Sequence, residues 1–299
     1  MLHTWPMMVR AEAEIGLFLK AHRDALSPED AGLPDGGSRR RVPGLRREEV
    51  ARLAGVSVDY YTRIEQGRGG AVSAEVLDVL AGALQLSESE RVYLRNVADR
   101  RARRPRGAPC SAQAGEEPEM PRQSVRREVR FLIDTMEAVP ALVLGRGMDL
   151  LAWNRMAERL WPGIGAVPPE ELNIARLVFL HPHEAGLHLD PEGMRHDVAA
   201  KLRSDSGRCP QDLRLCRVIA DLRRDSPRFR ELWEAREVRE HLHGSHRLGH
   251  PAAGELELYF EKMPLPDARD QILLTYTAAP GSVSDERLRL LASAGAAVG

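Results

Sequence analysis

Twenty residues, REEVARLAGVSVDYYTRIEQ at positions 47–66, restrict this chain more than any other stretch. Residues 46–54 and 57–66 both carry helix-period apolar spacing, and only Gly55 and Val56 separate them. Two helices joined so tightly must cross at a steep angle, and each position near the crossing then admits few residue types. Ala51 falls where the backbones come closest, a place for a small side chain. Gly55 falls at the turn, where a positive φ is expected. Ser57 is placed to cap the second helix, and Val50, Ala54, Val56, Tyr61 and Ile64 supply the apolar face that locks the pair.

This arrangement leaves Val58, Asp59, Thr62, Arg63 and Gln66 facing outward. A protruding helix with such a face fits the DNA major groove. There Arg63 would pair with guanine O6 and N7, and Val58 or the Thr62 methyl would touch thymine methyls. Asp59 would accept from a cytosine amino group or orient Arg63. Ser57 and Tyr60 belong to the same candidate surface, and Arg46, Arg47 and Arg68 sit at helix ends suited to phosphate contacts.

Charge distribution supports a polyanionic partner. The net charge of −1 conceals a mildly basic front: residues 1–110 hold 18 Lys and Arg against 15 Asp and Glu, leaving 25 against 29 for the remainder of the chain's 43 and 44. The basic residues cluster at 39–41, 46–47 and 100–106, and a basic loop at Arg39, Arg40 and Arg41 beside the groove would add phosphate or minor-groove contacts. No run is long and apolar enough to span a bilayer, and the N-terminal residues lack the pattern of an export signal, so a cytoplasmic location is expected. Cys110, Cys209 and Cys216 are an odd set without a metal or redox spacing, which argues against a disulfide framework.

At 299 residues two domains are expected. The front, residues 1–100, reads as five short helices, with Ser73 and Ser87 as further caps. Residues 101–122 are rich in Arg, Pro, Gly, Ala and Glu and read as a flexible linker. Residues 123–299 read as α+β: a helix, a hairpin around Gly145-Arg146-Gly147, several helices, three strands near 241–248, 254–263 and 271–278, and a last helix. Strands interrupted by helices in this order give an antiparallel sheet.

The stretch GLRREEVARLAGVSVDYYTRIEQGR, with the segments that follow to Leu94, resembles the XRE family of helix-turn-helix regulators across residues 12–98. The resemblance implies a five-helix, lambda-repressor-like domain that works as a dimer on a pseudo-palindromic operator. Residues 123–291 resemble the ligand-binding domain of MmyB-like regulators through VPALVLGRGMDLLAWN, NIARLVFLHP, SPRFRELW, HRLGHPAAGELELYFEKM and LTYTAAPGS. That second resemblance implies a PAS-like, lipid-sensing domain with a pocket for a fatty-acid-like amphiphile. The stretch between Ala185 and Met194 departs from the family pattern in lacking an aromatic, so a different ligand preference is expected there.

The expected pocket wall comprises Leu142, Leu144, Leu151, Trp153, Leu177, Phe179, Trp233, Leu258 and Phe260, with Asn154, Arg176 and His250 as polar anchors. Four of these also admit structural readings: Asn154 as a helix cap, Arg176 as the partner of a carboxylate, and the two tryptophans as core. Histidines at 181, 183 and 188 and at 241–250 lack metal-ligand spacing, so no metal and no cofactor are expected. No nucleophile elbow, phosphate-binding loop or dinucleotide fingerprint is present, which argues against an enzyme. The expected function is a DNA-binding transcriptional regulator modulated by a small amphipathic ligand, with double-stranded DNA as partner. The alternative is a regulator whose second domain serves only dimerisation or protein contacts.

Overall fold

The computed structural model describes residues 11–34, 42–102, 123–169, 171–181, 187–209 and 212–293. Arg39, Arg40, Arg41, Cys110 and most of the expected linker lie outside them. The chain forms two compact units. The first falls within Met1–Glu117 and includes Arg203–Pro210 and Glu234–Arg239; the second takes Pro118–Leu202, Gln211–Trp233 and Glu240–Gly299.

The first unit is built on five helices: α1 (Ala11–Ala25), α2 (Arg47–Ala54), α3 (Val58–Glu65), α4 (Ala74–Ala83) and α5 (Glu88–Ala102). Gly55 ends α2 at φ 66°, and its N–H together with that of Val56 closes the last turn onto Arg52 and Ala51. Ser57 and Ser73 cap α3 and α4 by accepting from the backbone three residues on. Phe18, Leu19, Val50, Ala51, Tyr61, Ile64, Leu80 and Val97 are buried in one core, which Val238 also enters. A β-carbon on Gly16 would lie 2.4 Å from the Glu65 carbonyl oxygen, so α1 and α3 meet at backbone distance only because this residue is glycine.

Two buried carboxylates complete this unit. Glu65, its side chain 1% exposed, accepts from Arg23 Nε at 2.8 Å and from Arg47 Nε at 2.8 Å. Glu14 accepts from the Tyr93 hydroxyl at 2.7 Å, from Arg203 at 3.0 Å and from Arg236 at 2.6 Å. Burial alone would raise both carboxyls, but the facing guanidiniums outweigh it and hold both below the usual carboxylate range.

The second unit is α+β. Its five antiparallel strands are β1 (Ala141–Leu144), β2 (Leu150–Trp153), β3 (His243–His250), β4 (Gly254–Leu265) and β5 (Ala268–Thr277), in the spatial order β2-β1-β5-β4-β3. The hairpin expected around Gly145-Arg146-Gly147 is β1–β2, turning through a 3-10 segment at Arg146–Met148. One face of the sheet presents Ala141, Val143, Ala152 and Leu273 to Val129 and Ile133 of α6 (Arg127–Asp134). The opposite face presents Leu142, Leu144, Leu258, Phe260, Leu274 and Tyr276 to α7 (Arg155–Leu160) and its surroundings. A third apolar cluster joins α8 (Ile174–Leu180), α9 (Pro191–Arg208), α10 (Leu213–Asp225) and α11 (Pro227–Ala235), and α12 (Val283–Ser293) is the last helix among the described residues. Asn173 caps α8 through Arg176 N–H and donates to Gly147 O and Asp149 Oδ1, both at 2.8 Å, while Arg214 of α10 grips the same Asp149 through two nitrogens.

α6 stops at Asp134, where the chain turns through Thr135 toward β1. α11 stops at Ala235, and Arg236 adopts a positive φ of 59°.

Candidate nucleic-acid interface and ligand cavity

α3 shows two opposite characters along eight residues. Tyr61, Ile64 and Glu65 point inward, while Val58, Asp59, Arg63 and Gln66 are exposed, Val58 by 47%. Thr62 and Tyr60 are half-buried at the margin, with Tyr60 packed on the core. Arg63 and Arg68 are exposed, and neither forms a side-chain ion pair with a described residue.

The remaining candidates divide by what already holds them. Ser57 spends its hydroxyl on Tyr60 N–H at 3.2 Å, leaving its backbone N–H end exposed at the helix start. Arg46 precedes α2, with its backbone N–H donated to Glu49 at 2.6 Å and its guanidinium 3.6 Å from Glu48. Arg47 is half tied: its guanidinium is bound to buried Glu65 yet remains 44% exposed, which fixes one edge and leaves another outward. Arg47 is therefore a positioned cation rather than a freely moving one.

In the second unit a cavity of about 510 Å³ lies between the sheet face and the helical cluster. This is within the usual size range of small-molecule sites, roughly 300–1,000 Å³. Strand alternation builds the floor: Leu142 and Leu144, Leu274 and Tyr276, and Phe260 and Lys262 are i, i+2 pairs on adjacent strands. Ile174 and Leu177 of α8, Met194 and Val198 of α9, and Trp161 with Ile164 after α7 form the other walls. Trp161 stands edge-on to Tyr276 at 5.1 Å.

One part of the lining is polar. Residues 187–189 pair with the outer edge of β3, through Leu189 N–H to Arg247 O at 2.9 Å and Gly249 N–H to Leu187 O at 2.7 Å. That pairing sets the His188 ring edge-on to His246 at 5.2 Å. The Tyr276 hydroxyl lies 3.4 Å from His246 Nδ1. Burial pushes His188 down to about 4, with Asp190 opposing. Burial, then His188 and Lys262, push His246 down to about 3. Both rings are therefore neutral near pH 7.

Four expected wall residues, Leu142, Leu144, Leu177 and Phe260, line this cavity. The three polar anchors and the wall residues Trp153, Phe179 and Trp233 do not, and each is engaged elsewhere. Trp153 pairs with Leu142 on the edge strand β2 and packs on the sheet-face core one strand away. Asn154 caps α7 through Ala157 N–H at 2.9 Å, accepts from Ala141 N–H, and has its amide nitrogen within 3.0 Å of the carbonyls of Ile133, Met136 and Val139. Arg176 is bound to Asp221 at 2.8 Å. Phe179 and Trp233 flank Phe229, at 5.0 and 5.4 Å between ring centres. His250 has Nε2 2.9 Å from Arg159 O and Nδ1 facing the N–H groups of Ala252 and Ala253, so Nε2 donates and Nδ1 accepts. Leu151 and Leu258 also fall outside the lining. His188, His246, Trp161 and Tyr276 were not among the expected residues. Alternation from Leu274 would have reached Tyr276, whereas nothing local marks His188.

Among the described residues, no group of three or more His, Cys, Asp and Glu side chains is placed to hold a metal ion. Cys209 is exposed and Cys216 half-buried, both as thiols. No described helix is long and apolar enough to cross a membrane.

Comparison with known families agrees with this geometry. Residues 14–94 match a helix-turn-helix domain. Residues 125–291 match the MmyB-like transcription regulator ligand binding domain. No curated relative matches the chain. With a helix-turn-helix unit at the front and more than half its length matched by the second family, the chain belongs to the MmyB-like transcription regulators.

Proposed function

We propose that this regulator binds a palindromic DNA operator as a homodimer through α3 and that a small amphipathic molecule, fatty-acid-like in its apolar chain, modulates that affinity from the cavity. The carrying observation is the cavity: a mostly apolar lining with a minority of polar side chains suits a molecule that is mostly hydrocarbon with a polar end. Each buried methylene contributes about 0.8 kcal/mol, so a medium-length chain binds tightly with few polar contacts. On the DNA side, Arg63, Val58, Asp59 and Thr62 read bases, while Arg46, Arg47, Arg68 and the backbone at Ser57 hold phosphates. Half-sites would lie about one helical turn, 34–36 Å, apart. The protein is a regulator rather than an enzyme, and acts in the cytoplasm.

Selection of bound sequences from a random duplex pool, with and without a series of straight-chain amphiphiles, tests this reading. A two-fold symmetric consensus whose recovery depends on the amphiphile is the expected result. A consensus unaffected by any amphiphile would favour a second unit used only for dimerisation or protein contacts.

A further inference from the structure

Two half-buried histidines on the cavity wall, His188 and His246, hold ring nitrogens that no described residue matches. Tyr276 is fully enclosed, and the only described partner of its hydroxyl is His246 Nδ1. A buried phenol must donate, so Nδ1 accepts and the proton of neutral His246 sits on Nε2. That N–H, and both ring nitrogens of His188, make no hydrogen bond to a described residue. The two rings thus offer two donors and one acceptor to a mostly apolar cavity, where a ligand group that matches them gains a polar contact.

Resting on the reading of this cavity as the ligand site, we propose that the ligand's polar end is an uncharged hydroxyl-bearing group received by His188 and His246, not an ionised carboxylate. A hydroxyl oxygen accepts from one imidazole N–H and donates its proton to the lone pair of His188. A carboxylate has no proton to give, and sets its charge against that lone pair and against Asp190 beside His188. The charged side chains on the lining are Lys201, which lies 3.9 Å from Glu240 and shares a wall with Asp197, and Lys262, which stands over the Phe260 ring, so the match of donors and acceptors rather than net charge decides the head group.

The test is calorimetric titration of the full chain at neutral pH with 1-decanol and with decanoate, two probes that share a chain length and differ at the head. Decanol is expected to bind at least about tenfold more tightly, the size of one well-matched polar contact. In His188→Leu the preference should shrink to about twofold or less, and unchanged thermal unfolding would show that the variant is folded. Decanoate binding as tightly as decanol, or more tightly, in the wild-type protein would overturn the head-group assignment while leaving the cavity as the ligand site. Failure of both to bind would overturn the cavity reading, and the head-group assignment with it.

Discussion

Two clusters of titratable groups, one in each unit, are treated in opposite ways. In the first, Glu65 and Glu14 are sealed inside and each is gripped by two arginines, with Tyr93 adding a further donor to Glu14. In the second, His188 and His246 are half-buried and border the cavity. The difference teaches how to separate scaffold from site: a buried polar group whose partners are all supplied by the protein fixes shape, and one left unmatched beside a cavity waits for a ligand.

The strongest challenge to this comparison is removal of a saturated carboxylate. Glu65→Ala leaves Arg23 buried without its partner and frees Arg47, and should destabilise the first unit by about 3–5 kcal/mol, read by chemical denaturation. A loss near zero would mean the arginines are satisfied without it. Asn154→Ala in the second unit should cost about 2–4 kcal/mol, since a helix cap and several backbone partners go together. Amphiphile affinity of the folded fraction should be unchanged, and a specific loss would return Asn154 to the binding site.

On the DNA side, Arg63→Ala should weaken operator binding by about 1–3 kcal/mol and relax one base preference, whereas Arg68→Ala should weaken all sequences alike and lower the salt slope by about 0.9. Equal behaviour of the two variants would remove Arg63 from base reading.

Acid titration sharpens the contrast between the units. A carboxyl lowered on folding stabilises above its ordinary value of 4.5 and loses that contribution as pH falls through the folded value, because the unfolded chain then binds more protons. The depressed histidines act from a higher pH: the unfolded rings charge near 6.5, while the folded ones stay neutral until about 4 and about 3. Hydrogen exchange by peptide should therefore show protection in the sheet unit declining below pH 6.5 and protection in the helical unit declining only below 4.5. Simultaneous decline would contradict the assignment. The smallest expected stability effect is that of Leu177→Trp, which fills the cavity, changes stability by about 1 kcal/mol or less and abolishes amphiphile binding.

The helical unit was legible in sequence because its rules are local. Ala51, Gly55 and Ser57 constrain one another within seven residues, and the structure places Ala51 at the core, Gly55 at positive φ and Ser57 as a cap. The strands were legible where burial alternates, as in ELELYFEKM. The cavity was only partly legible, because it depends on which strands become neighbours. Leu142 and Leu274 meet through β1–β5 pairing, and the edge position of β2 carries Trp153 away from the space that Trp161 borders. Asn154, Arg176 and His250 looked like anchors because sequence shows that a side chain is polar but not which backbone groups or carboxylates already claim it. His188 lies in the stretch between Ala185 and Met194, and its place on the cavity wall follows only from the pairing of that stretch with the edge of β3.

The central claim is thermodynamic coupling between the α3 surface and the cavity. Operator affinity measured with and without saturating 1-decanol, and decanol affinity measured with and without saturating operator, should change by the same factor, about 5–150-fold. Tight decanol binding that leaves operator affinity unchanged would contradict the account.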